Sequence, residues 1–267
     1  MAAWKLTIEY EGTRFYGWQE QKSSRTVAGE LRVAAEQLFG SAVQINGAGR
    51  TDAGVHALGQ VARLKTREPR KPNELLHGLN DRLPPDINVL SVVETQDAFD
   101  PRRDAVARYY LYQISTRRTA FAKRFVWWVK DRLNEAAMEE AARSLAGRHD
   151  FKRFADKRTG DGSTVVVVND IQFARHGDLL LFRIGASHYL WKMVRRLVGA
   201  LVEVGRGSLA VEEFARLVDS QNPAKSRFDI PSHTAPPSGL FLERVVYDER
   251  EPVFPIRSAF PVGKLDP

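Results

Sequence analysis

The chain has 267 residues, 43% of them apolar, enough to bury a core as one large domain or two small ones. Forty Lys and Arg against thirty-three Asp and Glu leave a net charge of +7, which favours a polyanionic partner, nucleic acid first. The absence of cysteine excludes disulfides and thiolate metal sites, and the six histidines show no His-x-x-x-His pairing, so no metal site is expected. No apolar run approaches the length of a membrane span and Met1-Ala-Ala-Trp-Lys5 enters a strand pattern at once, so a cytoplasmic protein is expected.

Trp4, Leu6, Ile8 and Tyr10 alternate with Lys5, Thr7 and Glu9, the period of a half-buried strand. Val27, Leu31, Ala34, Ala35 and Leu38 share one helical face between a cap at Thr26 and a stop at Gly40. Val43 and Ile45 predict a short strand and Val61 to Leu64 its partner, with a glycine-rich loop between them. Asn73 to Asn80 reads as a short helix stopped before Pro84-Pro85, and Ile87 to Val93 as a strand. A second series begins after Arg102. Tyr110, Tyr112 and Ile114 mark a strand, and Leu133 to Leu145 an amphipathic helix ending at Gly147. Val165 to Phe173 and Leu179 to Ile184 read as strands across the turn Arg175-His-Gly-Asp178. Leu190, Met193, Val194, Leu197, Val198, Leu201 and Val202 form a long apolar helical face, Val211 to Val218 a shorter helix, and Leu240 to Tyr247 the last strand. The order fits two successive α+β units joined near residues 95 to 105, here taken as 1–103 and 104–267.

Basic residues cluster in Arg63 to Lys71, in Arg102 to Arg124 with Asp104 as the only acid, in Arg148 to Arg158 and in Lys192 to Arg206. Such runs line a nucleic-acid groove or form solvated faces.

The run Gly47-Ala-Gly-Arg-Thr-Asp-Ala-Gly-Val-His-Ala57 carries the most chemistry. Its three glycines permit close approach to a ligand, and Arg50 and Asp52, two residues apart, face one cavity if the loop is extended. In that arrangement the guanidinium keeps the carboxylate ionised. The dinucleotide fingerprint fails because Asp52 stands at its third glycine, and the phosphate loop fails because Val55 stands at its lysine. The Asp-Ala-Gly triplet is shared with acid proteases, but no second Asp-x-Gly of that kind supplies the paired carboxylate. For an isolated Arg-x-Asp the ordinary reading is a surface ion pair.

The longer string resembles the signature of the tRNA pseudouridine synthase A family, and five further segments agree in order and spacing. They are Tyr10-Glu-Gly-Thr-Arg-Phe-Tyr-Gly-Trp-Gln19 with Arg25 to Leu31, Tyr110-Leu-Tyr112 after Arg108, His149-Asp-Phe151, Met193-Val-Arg-Arg-Leu-Val-Gly199 with Glu203-Val-Gly205, and Thr234-Ala-Pro-Pro-Ser-Gly-Leu240. The resemblance runs from about Trp4 to Asp248. Glu11 departs from the family's usual Asp, Trp191-Lys192 are unusual before Met193, and no site residue is carried over from Asp156 to Asp170.

The resemblance implies an α+β pseudouridine synthase fold, with two similar halves whose mainly antiparallel sheets pack side by side and leave a basic catalytic cleft. It implies isomerisation of uridine to pseudouridine at positions 38, 39 and 40 of the tRNA anticodon arm by a homodimer. No cofactor is expected, because the reaction gains and loses no atoms. Asp52 is implied as nucleophile or base, with Arg50 at the phosphate of the flipped nucleotide, Tyr110 stacked on uracil, and Arg195 orienting Asp52. Gly49, Thr51, Arg102 and Arg103 are further expected RNA contacts, and His56 is a loop support or an RNA contact. Gly47, Gly49 and Gly54 are read as backbone requirements, and Trp18 and Trp191 as core or cleft packing. Tyr109, on the opposite side of the strand, competes with Tyr110 for its role. An RNA-binding protein without chemistry and an acid protease are the competing readings.

Overall fold

The computed structural model describes residues 2–156, 163–219, 226–251 and 254–262. They divide into two compact units, Met1–Val106 with Phe241–Glu251, and Ala107–Leu240 with Pro252–Pro267. The strand after residue 240 therefore groups with the first unit, although it follows the whole second series in sequence.

In the first unit, β1 (Ala2–Tyr10) has the predicted alternation, with Trp4, Leu6, Ile8 and Tyr10 all buried. Helix α1 (Val27–Phe39) starts where the Thr26 hydroxyl accepts the Gly29 N–H and ends at Gly40 in the left-handed region, φ 64°. Its Phe39 ring lies 6.0 Å from that of Trp4, so the helix covers this face of the strand. Strands β2 (Gln44–Gly47) and β3 (His56–Thr66) flank the glycine-rich loop, and α2 (Pro72–Asn80) packs on β4 (Ile87–Glu94).

One edge of β3 is taken by β1 and antiparallel pairing continues from β1 to β4. The other edge is shared by two partners. The β2 strand pairs from Gly47↔Ala62 to Gln44↔Lys65, and the C-terminal strand that begins at Leu240 pairs in parallel through Phe241↔His56 and Leu242↔Ala57. Loop residues 48–55 thus leave β2 while β3 continues beneath them, and the Ala48 N–H donates to the Val61 carbonyl at 2.8 Å.

The second unit builds a sheet in the order β5 (Ala107–Ser115), β9 (Leu179–Ala186), β8 (Val165–His176) and β7 (Gly147–Asp150), antiparallel throughout, with the short β6 (Trp127–Trp128) parallel to β5. Every residue of β9 is buried, which explains an apolar run where half-buried strands alternate. Its one charged member, Arg183, donates from both terminal nitrogens to the Phe254 carbonyl at 2.7 and 2.8 Å. Helices α3 (Glu135–Arg143), α4 (Met193–Arg206) and α5 (Val211–Val218) pack on one another. The last strand, β10, is Leu240–Val246. The sequence reading missed β7, which starts where it ended a helix: Gly147 has φ 97°, and the chain turns back into a strand. Among the described residues no helix is long and apolar enough to cross a membrane.

Candidate active site

The glycine-rich loop is gripped from two directions. The segment Gly12 to Trp18 lies against it: the Trp18 N–H donates to the Thr51 carbonyl (3.1 Å) and the Gly54 N–H to the Phe15 carbonyl (3.2 Å). The Gly12 N–H donates to His56 Nδ1 at 2.9 Å. The two strings that carry the resemblance in this unit, Tyr10 to Gln19 and Gly47 to Ala57, therefore form one assembly. Tyr10 Oη lies 2.7 Å from Thr51 Oγ1, and Gln60 Nε2 donates to the Gly49 carbonyl at 2.8 Å.

Asp52 sits on this loop, half-buried, with its carbonyl accepting the Val55 N–H at 3.1 Å in the turn that Gly54 closes at φ 77°. Arg50 is exposed and forms no ion pair or hydrogen bond with any described residue. Among the described residues no ion pair joins Arg50 to Asp52: Arg50 is exposed and unengaged, whereas Asp52 is half-buried in the turn. The surface ion pair that an isolated Arg-x-Asp suggests is likewise absent among them.

The three loop glycines have different reasons. Gly54 is required by its left-handed backbone, and Gly47 by the Trp18 indole, which a Cβ would meet at 2.5 Å. Gly49 has neither constraint: no described atom lies within 4 Å of where its Cβ would stand. The fold does not demand a glycine there. His56 is 1% exposed, stacks on Phe241 at 4.7 Å between ring centroids, and accepts the Gly12 N–H. Its Nδ1 is therefore unprotonated, and of its two expected roles burial supports loop support.

In the second unit, Tyr110 is 8% exposed on β5, its ring edge-on to Tyr189 at 4.9 Å. The Tyr189 hydroxyl donates to the Ile184 carbonyl at 2.8 Å, and burial raises its pKa well above the usual tyrosine value. Tyr109 faces the other side, against Phe254 and over Gly185, where a Cβ would come within 2.5 Å of its ring. Arg195 lies in the first turn of α4 and is fastened twice to one residue. Its Nε donates to the Ala235 carbonyl at 2.7 Å, and the Ala235 N–H donates to its own carbonyl at 3.0 Å. The same approach makes Gly199 obligatory, since a Cβ would stand 1.6 Å from the His233 carbonyl oxygen. The Met193 and Thr234 strings are thus one packed unit.

Several cations of the basic runs serve the fold instead of a groove. Lys65 pairs with Asp97 at 2.6 Å, Arg63 donates to the Phe99 carbonyl at 2.6 Å, and Arg70 donates to the Leu38 carbonyl at 3.0 Å. Lys192 pairs with Asp156 at 2.9 Å, and Arg206 with Asp131 at 2.8 Å. Lys157 and Arg158 lie outside the described residues. Arg102 and Arg103 are exposed on a turn whose N–H groups donate to Asp100 Oδ1.

The family model described as tRNA pseudouridine synthase matches residues 6–102 and 141–248. The chain belongs to the tRNA pseudouridine synthase family, and is an isomerase that acts on tRNA. Its relatives carry a more particular name. The tRNA pseudouridine synthase A of Nitrobacter hamburgensis is 39% identical over 250 residues, 92% of this chain and 100% of that protein. That of Myxococcus xanthus is 40% identical over 254 residues, 93% of each, and that of Dictyoglomus turgidum 38% over 251 residues, 92% of this chain and 100% of the relative.

Tyr10 and Gln60 had no part in the site predicted from sequence. One signal was present: Gln60 is an uncharged polar residue inside a strand of buried apolar positions, and such a residue needs hydrogen-bond partners.

Proposed function

We propose that the protein isomerises uridine to pseudouridine at positions 38, 39 and 40 of the tRNA anticodon arm, with Asp52 as the catalytic carboxylate. The observation that carries this reading is the Gly47 to Ala57 string within a family match over residues 6–102 and 141–248, its Asp52 on a loop gripped by its own unit while Arg50 extends into solvent. The N1 to C1′ bond breaks, the uracil turns, and C5 joins C1′ as the C5 proton leaves and N1 gains one, so no atom is exchanged with a cofactor. Asp52 opens this route by adding to the sugar or by removing the 2′ proton. A second carboxylate to activate water, as glycoside hydrolases use, would release the base instead.

The target nucleotide must leave the stack, at a cost of about a few kcal/mol. Arg50, exposed and unengaged by described residues, suits a phosphate contact that forms only with substrate. By the family motif Tyr110 stacks on the uracil, while Tyr109 packs against Phe254 on the other face of the strand. Arg195 is assigned by the same motif to orient Asp52. Gly49, Arg102 and Arg103 are assigned to the RNA, whereas the Thr51 hydroxyl, expected there too, is buried against Tyr10 and supports the loop. The working form is a homodimer, and the compartment the cytoplasm.

The test is nucleotide-resolution mapping of pseudouridine in unmodified tRNA incubated with the purified protein alone. The expected result is conversion confined to positions 38 to 40. Conversion elsewhere, or none, contradicts the reading.

A further inference from the structure

Three buried polar side chains of the first unit are unused by the chemistry above. Tyr10, Thr51 and Gln60 are 4%, 6% and 0% exposed. Tyr10 Oη lies 2.7 Å from Thr51 Oγ1. Gln60 Nε2 donates to the Gly49 carbonyl at 2.8 Å, and its Oε1 accepts the Val61 N–H at 3.2 Å. Two buried side chains of neighbouring strands thus fasten the loop, Gln60 at the Gly49 carbonyl and Tyr10 at the Thr51 hydroxyl. They grip the loop one residue before Arg50 and one residue after it.

Apolar residues at positions 10, 51 and 60 would bury as well without the desolvation cost of polar groups. They would not fix direction, because apolar contact is non-directional whereas hydrogen bonds constrain angle and distance. Arg50 and Ala53 are exposed, so the apex of the loop is not held by packing of its own side chains. Burial raises the Tyr10 phenol above its usual pKa, outweighing the hydrogen bond of Thr51, so it stays protonated and the clamp is neutral at every working pH.

We propose that Tyr10, Gln60 and Thr51 are positioning residues, a buried polar clamp that fixes the backbone on both sides of Arg50 and sets the direction in which Asp52 presents its carboxylate. The inference rests on Asp52 being the reacting group. A misplacement of about 1 Å at such a group costs on the order of a hundredfold in rate, so the clamp should show in turnover more than in binding.

The test uses the full-length protein and measures three quantities: folded fraction at assay temperature, tRNA affinity, and the single-turnover rate at saturating tRNA. Tyr10→Phe and Thr51→Val are each expected to slow the rate by at least about fivefold, with affinity within about twofold and the protein folded. Thr51→Ser keeps the hydroxyl and should stay within fivefold of the parent. The double variant Tyr10→Phe/Thr51→Val should be no slower than the worse single variant, because both cut one hydrogen bond. Rates within fivefold for Tyr10→Phe and Thr51→Val overturn the clamp, as does a loss that tracks unfolding or a Thr51→Ser variant as slow as Thr51→Val. If Tyr10→Phe does not fold, the Thr51 pair decides alone. An Asp52→Asn variant that retains turnover would instead remove the underlying assignment of the reacting group.

Discussion

The loop from Gly47 to His56 and the first turn of α4 each present an arginine assigned to the same reaction, and the fold treats the two differently. In the loop it holds the backbone, through Trp18, Gly54 and Gln60, and leaves the Arg50 guanidinium in solvent. In α4 it holds the guanidinium itself, by the Nε bond of Arg195 to Ala235. A fastened arginine has lost its rotamer entropy during folding, whereas an exposed one gives up about 2 kcal/mol when substrate orders it. The first arrangement suits a group that orients a neighbour, and the second a group that must follow a phosphate.

The largest expected contrast lies between two glycines. Gly199→Ala would drive a Cβ into the His233 carbonyl, backbone that cannot swing aside, and should cost about 3 kcal/mol or more by denaturant melting. Gly49→Ala meets nothing and should change stability by less than about 0.5 kcal/mol while lowering activity if RNA approaches the backbone there. Equal stability losses would erase the distinction between a region built by close approach and one left open.

A smaller effect separates the regions by pH. Arg25 donates to both Asp86 carboxylate oxygens at 2.9 Å and lies over the Phe15 ring, beside the segment that grips the loop. The Arg25 hydrogen bonds lower the Asp86 pKa against the opposing effect of burial. A carboxyl with a depressed folded pKa contributes stability that is full above its unfolded value of about 4 and lost as pH falls through the folded one. Asp86→Asn should therefore cost about 1 kcal/mol at pH 7, and the difference from the parent should shrink as the pH falls below about 4. A difference independent of pH would assign the loss to packing.

Arg195→Ala should cost about 1 kcal/mol by leaving the Ala235 carbonyl without its side-chain donor, and should slow turnover more than it weakens binding. Arg50→Ala should leave the melt unchanged and act on tRNA affinity. The smallest effect concerns Arg102 and Arg103, exposed on their turn. If both touch phosphate, removing them should lower the slope of log affinity against log salt by about 2.

The strand and helix cores were legible because burial imposes a period: β1, α1 and α4 follow the alternation or the apolar face read from sequence. Strand β7 was not, since four residues headed by a left-handed glycine carry no period. The grouping of Phe241–Glu251 with the first unit was also hidden, because a strand's own residues do not say which edge it will join. Within the site, the loop and its carboxylate were legible through the string alone. Arg50 and Asp52, near in sequence, make no pair among the described residues, and His56 had two expected roles, loop support and RNA contact, of which burial supports the first. The bonds of Tyr10 to Thr51 and of Gln60 to Gly49 join residues up to forty-one positions apart and had no local signal beyond one glutamine at a buried strand position.

The central claim is that Asp52 performs the chemistry while the rest of the assembly holds RNA and loop in place. The most direct measurement compares single-turnover pseudouridine formation and tRNA affinity in Asp52→Asn, Asp52→Ala and the parent protein. Both variants are expected to fold and to bind tRNA within about threefold of the parent, tighter if the lost negative charge faces phosphate, with pseudouridine formation abolished. Turnover within about tenfold of the parent in either variant would contradict the account, and joint loss of folding and binding would make Asp52 a structural residue of the loop.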